Sequence, residues 1–367
     1  MTERLSQLLH DEAADLTPPP PDCAATLAQG RRLQRRQRVT SGLAATAVAA
    51  VVATTAGFVA LQTGQPDARD VGPAGPGQGV APAAYGVGSD IHLGDVVAQV
   101  PDTVHSLHYT SLGVLVRSNP NDGSSSGSGP ESLTLVRWDG STEALGTIPE
   151  GVGPATDPDQ DVYVLAEARG DGFVAVVRDA MTGETVLEQP LPDKPPSFWE
   201  VPPLALDDET LYVGYRNETV AVDLTTEEVT TVDGLAGGIP DVQGGRTVVQ
   251  EDGVVSVRDA TTGEMLLDVD GPEFAWGTLS PDGRFLEVVI DDMDPGPVQV
   301  YDVASGDVQE FPASYDWGWT VDGGLFKPDG DTLTTCVADT GSCQEQPLDP
   351  PLPTDADVRV GGSIYES

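Results

Sequence analysis

Positive charge is what this chain has least of. Lys and Arg number 18 against 59 Asp and Glu, for a formal charge of −41 over 367 residues. A surface of that sign repels nucleic acid and anionic lipid, so no nucleic-acid partner is expected. Histidine and cysteine are scarcer, at 4 and 3. Cys23 stands alone and His10 has no metal partner nearby. No CxxC, HExxH or GxSxG pattern occurs, so zinc and nucleophile-elbow chemistry lack their sequence signatures. No catalytic constellation is expected. What is abundant is Gly (42) and Pro (31), short of the share that signals disorder throughout, and 39% hydrophobic residues, enough for a packed core.

The charge that exists is unevenly placed. Residues 1–38 hold six Arg against five acidic residues, and the rest holds twelve basic against 54 acidic. Val39 to Leu61 reads VTSGLAATAVAAVVATTAGFVAL, without a charge or a proline. A helix of that length spans roughly 35 Å, enough for the hydrocarbon core of a bilayer. Arg31, Arg32, Arg35, Arg36 and Arg38 precede it, and the next basic residue is Arg69. By the positive-inside rule the N-terminus is cytoplasmic and the C-terminal part extracellular. A cleaved signal peptide is the rival reading, but its positive region would run to 38 residues. Ala45, Ala49, Ala53 and Gly57 fall four apart and form a small-residue face suited to helix packing in the membrane.

In the cytoplasmic stub, residues 1–38, Leu5, Leu8, Leu9 and Leu16 lie near one face of a short helix that Pro18 to Pro21 ends. The leucine-rich start, the proline break and the run Arg31-Arg32-Leu33-Gln34-Arg35-Arg36 before an Ala/Val-rich span resemble the N-termini of many actinobacterial membrane proteins. Some of those are companions of extracytoplasmic-function sigma factors, and the resemblance implies a cytoplasmic sigma-factor partner. The His-CxxC zinc pattern of anti-sigma domains is absent.

Residues 62–90 are rich in Gly, Pro and Ala and read as a tether. From Ile91 onward, short Val-rich runs alternate with turn residues and no helical period appears. One unit recurs: a strand ending in Asp, a turn, a second strand. It appears as Val136-Arg137-Trp138-Asp139, as Val177-Arg178-Asp179-Ala180-Met181-Thr182-Gly183-Glu184, and as Val222-Asp223-Leu224-Thr225-Thr226-Glu227. It returns as Val257-Arg258-Asp259-Ala260-Thr261-Thr262-Gly263-Glu264, as Val300-Tyr301-Asp302-Val303-Ala304-Ser305-Gly306-Asp307, and in degenerate form as Val337-Ala338-Asp339-Thr340-Gly341. The aspartates are 40, 44, 36, 43 and 37 residues apart. Four-stranded propeller blades repeat at that interval. The fold class is therefore all-β, a β-propeller over 91–367 preceded by one transmembrane helix, with seven blades expected and six the alternative. The seventh would be shared between the ends. Ile91-His92-Leu93 and Val96-Val97-Ala98 would form its outer hairpin, and Asp357 to Val360 with Ile364-Tyr365 its inner strands.

The turns Ser280-Pro281-Asp282-Gly283-Arg284 and Lys327-Pro328-Asp329-Gly330-Asp331 resemble those of TolB- and WD40-like repeats, and Asp259 to Glu264 is similar to the turn of quinoprotein-type repeats. Quinoprotein repeats place a Trp soon after the TGE, where this chain has Met265, Leu266 and Leu267.

Cys336 and Cys343 flank a tight hairpin that puts them directly opposite, so a disulfide is expected in an oxidising exterior. Asp157, Asp159 and Asp161 alternate, and Asp291, Asp292 and Asp294 cluster. Calcium is the ion such oxygen-rich loops take, but the Gly and distant Glu of an EF-hand are missing after Asp161, so these read as solvated turns and no cofactor is expected. His105 and His108, three apart in one strand, should face opposite ways and not share a metal. Trp317 and Trp319 should pack between blades. Asn119 to Pro130 is a Gly/Ser-rich insertion in the first hairpin. The function expected from the sequence is a non-catalytic platform that binds or senses a protein or envelope ligand. An extracytoplasmic hydrolase or quinone-type oxidoreductase on the same scaffold is the alternative.

Overall fold

The computed structural model describes residues 82–362, apart from 122, 124–128, 195–200, 233–234, 236–239, 252, 272–274, 291–295, 315–316 and 354–355. The stub 1–38, the apolar run 39–61 with Ala45, Ala49, Ala53 and Gly57, Asp291, Asp292, Asp294 and the Ile364-Tyr365 strand lie outside the described residues. Among the described residues, no helix is long and apolar enough to cross a membrane.

Seven four-stranded antiparallel sheets follow one another. Six are continuous in sequence: the first blade over 103–148, the second over 155–190, the third over 204–231, the fourth over 242–270, the fifth over 275–311 and the sixth over 318–347. The closing blade takes Ala84–Val87, Asp90–Leu93 and Val96–Gln99 from the beginning and Val358–Val360 from the end. Its outer hairpin turns at Gly94 and Asp95 in the expected register, with His92 opposite Val97. Its inner pair departs from expectation. Val358–Val360 pairs with Ala84–Val87, Tyr85 facing Val360, and that N-terminal strand lies in the stretch read as tether. Closure joins the two ends of the chain in one blade and leaves only the short edges of each four-stranded sheet.

Each blade is too thin to bury its own faces, so the core lies between blades. Seven apolar clusters occupy the seven interfaces. Leu115 and Leu133 of the first blade meet Tyr163 and Leu165 of the second. Val177 and Val164 meet Val213 and Val220 of the third. Phe285 and Val300 of the fifth meet Trp319 and Leu325 of the sixth. Ala84 and Ile91 of the closing blade meet Val104 and Val114 of the first.

The recurring Asp builds the turn before the outermost strand in the second to fifth blades. Asp179 Oδ1 accepts the N–H groups of Met181 at 2.9 Å and Thr182 at 2.8 Å. Asp259 does the same for Thr261 and Thr262, at 3.0 and 2.7 Å, and Asp302 for Ala304 and Ser305, at 3.0 and 2.9 Å. Gly183, Gly263 and Gly306 then take φ of 70°, 71° and 76°. The third blade puts Glu227 at that place, with φ 61°.

The meander gives the ring two unlike ends. Connections from first to second strand and from third to fourth lie at one end, and none is longer than five residues. The other end carries the connections between blades and from second to third strand, among them 120–130, 191–203, 232–241 and 348–357. The chain enters and leaves the propeller at the tight-turn end, where Gly94 N–H bonds Ala83 O at 3.1 Å and Gly361 N–H bonds Ala84 O at 2.8 Å.

Candidate functional site

The first blade holds a buried network of ionisable side chains. Register shifts between Val104 and Ser106, so His105 is the extra residue of a bulge on the innermost strand Thr103–Thr110. The bulge turns His105 inward, where it is 1% exposed. Its Nδ1 lies 3.1 and 3.2 Å from the two carboxylate oxygens of Glu131. Arg117 Nε donates to Glu131 Oε2 at 2.8 Å, and its Nη2 lies at the same distance from that oxygen. Arg117, Asn119 and Glu131 are fully buried. Ser106 Oγ is 2.9 Å from His108 Nε2, and Arg117 Nη1 donates to the same Oγ at 3.4 Å. One network thus links both histidines, contrary to the expectation of opposite faces; the bulge breaks the two-residue alternation on which that rested.

Burial pushes the Glu131 carboxyl up, but the His105 contact and the Arg117 charge together hold it below the ordinary carboxylate value. Burial, then the Arg117 charge and then His105, pulls His108 down to about 3. Its ring is neutral at physiological pH. Glu131 begins the third strand and Asn119 ends the second, so the network bolts together the two feet of the 120–130 connection. Asn119 Oδ1 also accepts the N–H groups of Asn121 and Gly123, at 3.0 and 3.2 Å. A charged group with no exposure cannot reach a substrate. What this arrangement can do is hold the base of a long loop rigid.

At the tight-turn end, a second set of polar contacts runs from blade to blade. Ser111 N–H bonds Gln160 O at 2.8 Å between first and second. Asp157 Oδ2 accepts Asp208 N–H at 2.6 Å between second and third. Asp207 Oδ2 accepts Gly245 N–H at 2.8 Å between third and fourth. Arg246 Nη1 donates to Gly283 O at 2.6 Å between fourth and fifth. The approach there is so close that a Cβ on Gly283 would stand 2.1 Å from Gln243 O. Tyr109 of the first blade reaches across the closing blade to Trp319 O at 2.7 Å. It passes Gly361, where a Cβ would meet its Oη at 2.6 Å.

Three buried carboxyls sit at these interfaces. Burial raises Asp157 to about 6, against the pull of the Asp159 and Asp208 N–H groups and with the help of the Asp207 and Asp159 charges. Burial raises Asp241 to about 7, against the Leu279 N–H, which it binds at 2.9 Å. Glu287, beside Thr278 and Trp319, is likewise raised by burial to about 7.

The aspartates read as a calcium candidate separate. Asp157 is buried, whereas Asp159 and Asp161 are exposed. Asp159 N–H bonds Asp157 Oδ1 at 2.7 Å, making a turn. Among the described residues no group of three His, Cys, Asp or Glu side chains is placed to hold a metal. Cys336 and Cys343 pair directly across the hairpin and form a disulfide. His92 stacks on Tyr85 with ring centroids 4.5 Å apart. Trp317 and Trp319 lie between the fifth and sixth blades against Phe311 and Phe285. The bulged histidine network and the raised carboxyls had no sequence signal, because each depends on partners brought in by register or by a neighbouring blade.

No family model matches the chain, and neither does any curated protein sequence. Similar folds occur among solved structures. TolB from Acinetobacter baumannii is 13% identical with a TM-score of 0.42, covering 77% of this chain and 66% of that one. BamB from Moraxella catarrhalis is 13% identical with a TM-score of 0.39, covering 74% and 96%. The Kuenenia stuttgartiensis hydrazine synthase is 15% identical with a TM-score of 0.41, covering 64% and 77%. The chain is a seven-bladed β-propeller.

Proposed function

We propose that this protein is a single-pass membrane protein whose extracytoplasmic propeller is a non-catalytic platform for a protein or envelope ligand. The observation that carries this reading is the difference between the two ends of the ring. One end is locked by short turns and blade-to-blade hydrogen bonds. The other carries every connection longer than five residues, on strands that the closed ring holds rigid. Functional loops on a stiff scaffold bind without the ordering cost of a flexible surface. The apolar run 39–61, with arginines before it, supports a cytoplasmic N-terminus and an outward propeller. The resemblance of the stub supports a cytoplasmic sigma factor as the partner that receives the signal. A sigma-factor gene beside this one would support that part, and deleting residues 1–30 with no change in transcription would count against it.

Topology is tested with a membrane-impermeant thiol reagent on intact cells producing the full chain with Asp171→Cys. Asp171 is exposed in a turn at the long-loop end. The introduced thiol should label on intact cells and Cys23 only after permeabilisation. Labelling in the reverse order would overturn the proposed orientation.

A further inference from the structure

The large apolar side chains that the ring leaves exposed are not scattered. Val97, Val186, Val229, Leu266, Val308 and Val337 are between 40% and 59% exposed, and each comes from a different blade. All stand within two residues of the turn between third and outermost strand. Met181, in one of these turns, and Met265, beside Leu266, are exposed too, at 45% and 53%. In five blades this residue is the first or second of the outermost strand; the sixth instead has Val337 at the end of the third strand, with Ser342 and Cys343 after the turn, and the first has Thr142 and Glu143. Single exposed hydrophobics on a surface need no explanation, but one beside the same turn in six of seven blades does. In the second and fourth blades the register shifts there, between Val177 and Arg178 and between Val257 and Arg258, and Val186 and Leu266 are the unpaired residues of the resulting bulges. A bulge re-aims a side chain. Here two blades use one to present an aliphatic group to solvent.

Carboxylates interleave with this collar. The turn before Val186 holds Glu184, that before Val229 holds Glu227 and Glu228, that before Leu266 holds Glu264, and that before Val308 holds Asp307, all exposed. Arg284, a cation beside them, is engaged by Asp302 and Asp339 at 3.5 and 3.4 Å. The 81 residues before Pro82 join the propeller at this same end, through Ala83 beside Gly94.

We propose that the collar at the tight-turn end is a docking surface for a basic amphipathic segment of a partner protein. The inference deepens the platform reading by naming a second surface, distinct from the long loops, and the class of partner. Charge selects the occupant. A second copy would bring carboxylates against carboxylates, and an anionic lipid surface would be repelled. A segment with one aliphatic and one Lys/Arg face satisfies both parts of the collar.

The test uses the purified full chain in nanodiscs of zwitterionic lipid. The probes are an 18-residue peptide with Leu on one helical face and Lys on the other, and a Lys/Ser peptide of equal charge. The amphipathic peptide should bind more tightly, and the variant Val186→Ser, Leu266→Ser, Val308→Ser should weaken it about tenfold or more without changing the melting temperature. The Lys/Ser peptide should be unaffected by the variant. Equal binding of the two peptides, or no loss in the variant, would overturn the proposal. So would a dimer in detergent that the variant dissociates, or flotation of the detergent-purified chain with zwitterionic vesicles that the variant abolishes; these would assign the collar to a second copy or to lipid. None of these outcomes depends on the thiol-labelling result, so failure of the topology and failure of the collar are separately visible.

Discussion

Asp157 of the second blade and Asp208 of the third share a hydrogen bond of 2.6 Å, from the backbone N–H of Asp208 to Oδ2 of Asp157. One carboxylate thereby satisfies two N–H groups, since its Oδ1 takes that of Asp159. Asp157→Ala should leave both unmet and cost about 1–3 kcal/mol. Asp157→Asn keeps one acceptor and should cost less. Chemical denaturation of the two variants at pH 7 checks the order.

Stability should fall as pH rises. Asp157, Asp241 and Glu287 have folded values of about 6, 7 and 7, above the ordinary carboxylate range. Between about pH 4 and 7 the folded chain therefore holds protons that the unfolded chain releases, and each unit of difference is worth about 1.4 kcal/mol. His108 works the other way, because its folded value of about 3 lets the unfolded chain bind a proton first as pH falls through the ordinary histidine range. Three carboxyls outweigh one imidazole, so the midpoint of urea unfolding should be higher at pH 5.5 than at pH 8. In Asp241→Asn with Glu287→Gln the difference should shrink.

Breaking the buried network of the first blade should be expensive. Glu131→Ala leaves the Arg117 charge without its counter-ion in a fully buried site and should cost about 3–5 kcal/mol. Glu131→Leu with Arg117→Met should be milder than the single change, which a double-mutant comparison of unfolding free energies will show.

Glu227 occupies, at φ 61°, the turn position filled by Gly183, Gly263 and Gly306 in other blades. A residue with a Cβ pays for that conformation, so Glu227→Gly should stabilise by about 0.5–1 kcal/mol. A higher melting temperature confirms this. Cys343→Ser, by contrast, opens only a short loop and should cost about 2 kcal/mol, seen as a melting temperature that no longer responds to reductant.

What the sequence disclosed and what it hid divide along a physical line. Local chemistry was legible. The Asp turns repeat because each carboxylate binds N–H groups two and three residues on, and Cys336 faces Cys343 because a hairpin fixes its own register. Long-range chemistry was not. Ala84–Val87 looks like tether because its Ala, Tyr, Gly and Val carry no strand pattern of their own, and it is held between Asp90–Leu93 on one side and the distant Val358–Val360 on the other. The His105 bulge depends on pairing with the second strand, and the raised values of Asp241 and Glu287 depend on burial by the blade next door. Gly361 carries no signal except that Tyr109 must pass it.

Everything proposed for the two ends rests on a ring closed by Val358–Val360 pairing with Ala84–Val87. Amide hydrogen exchange on the full chain and on a chain ending at residue 357 tests this directly. The Gly86 amide, which the register aims at Arg359, should exchange slowly in the full chain and lose that protection when the last strand is removed, together with a fall in melting temperature. Equal protection of that amide in the two chains would contradict a closed ring.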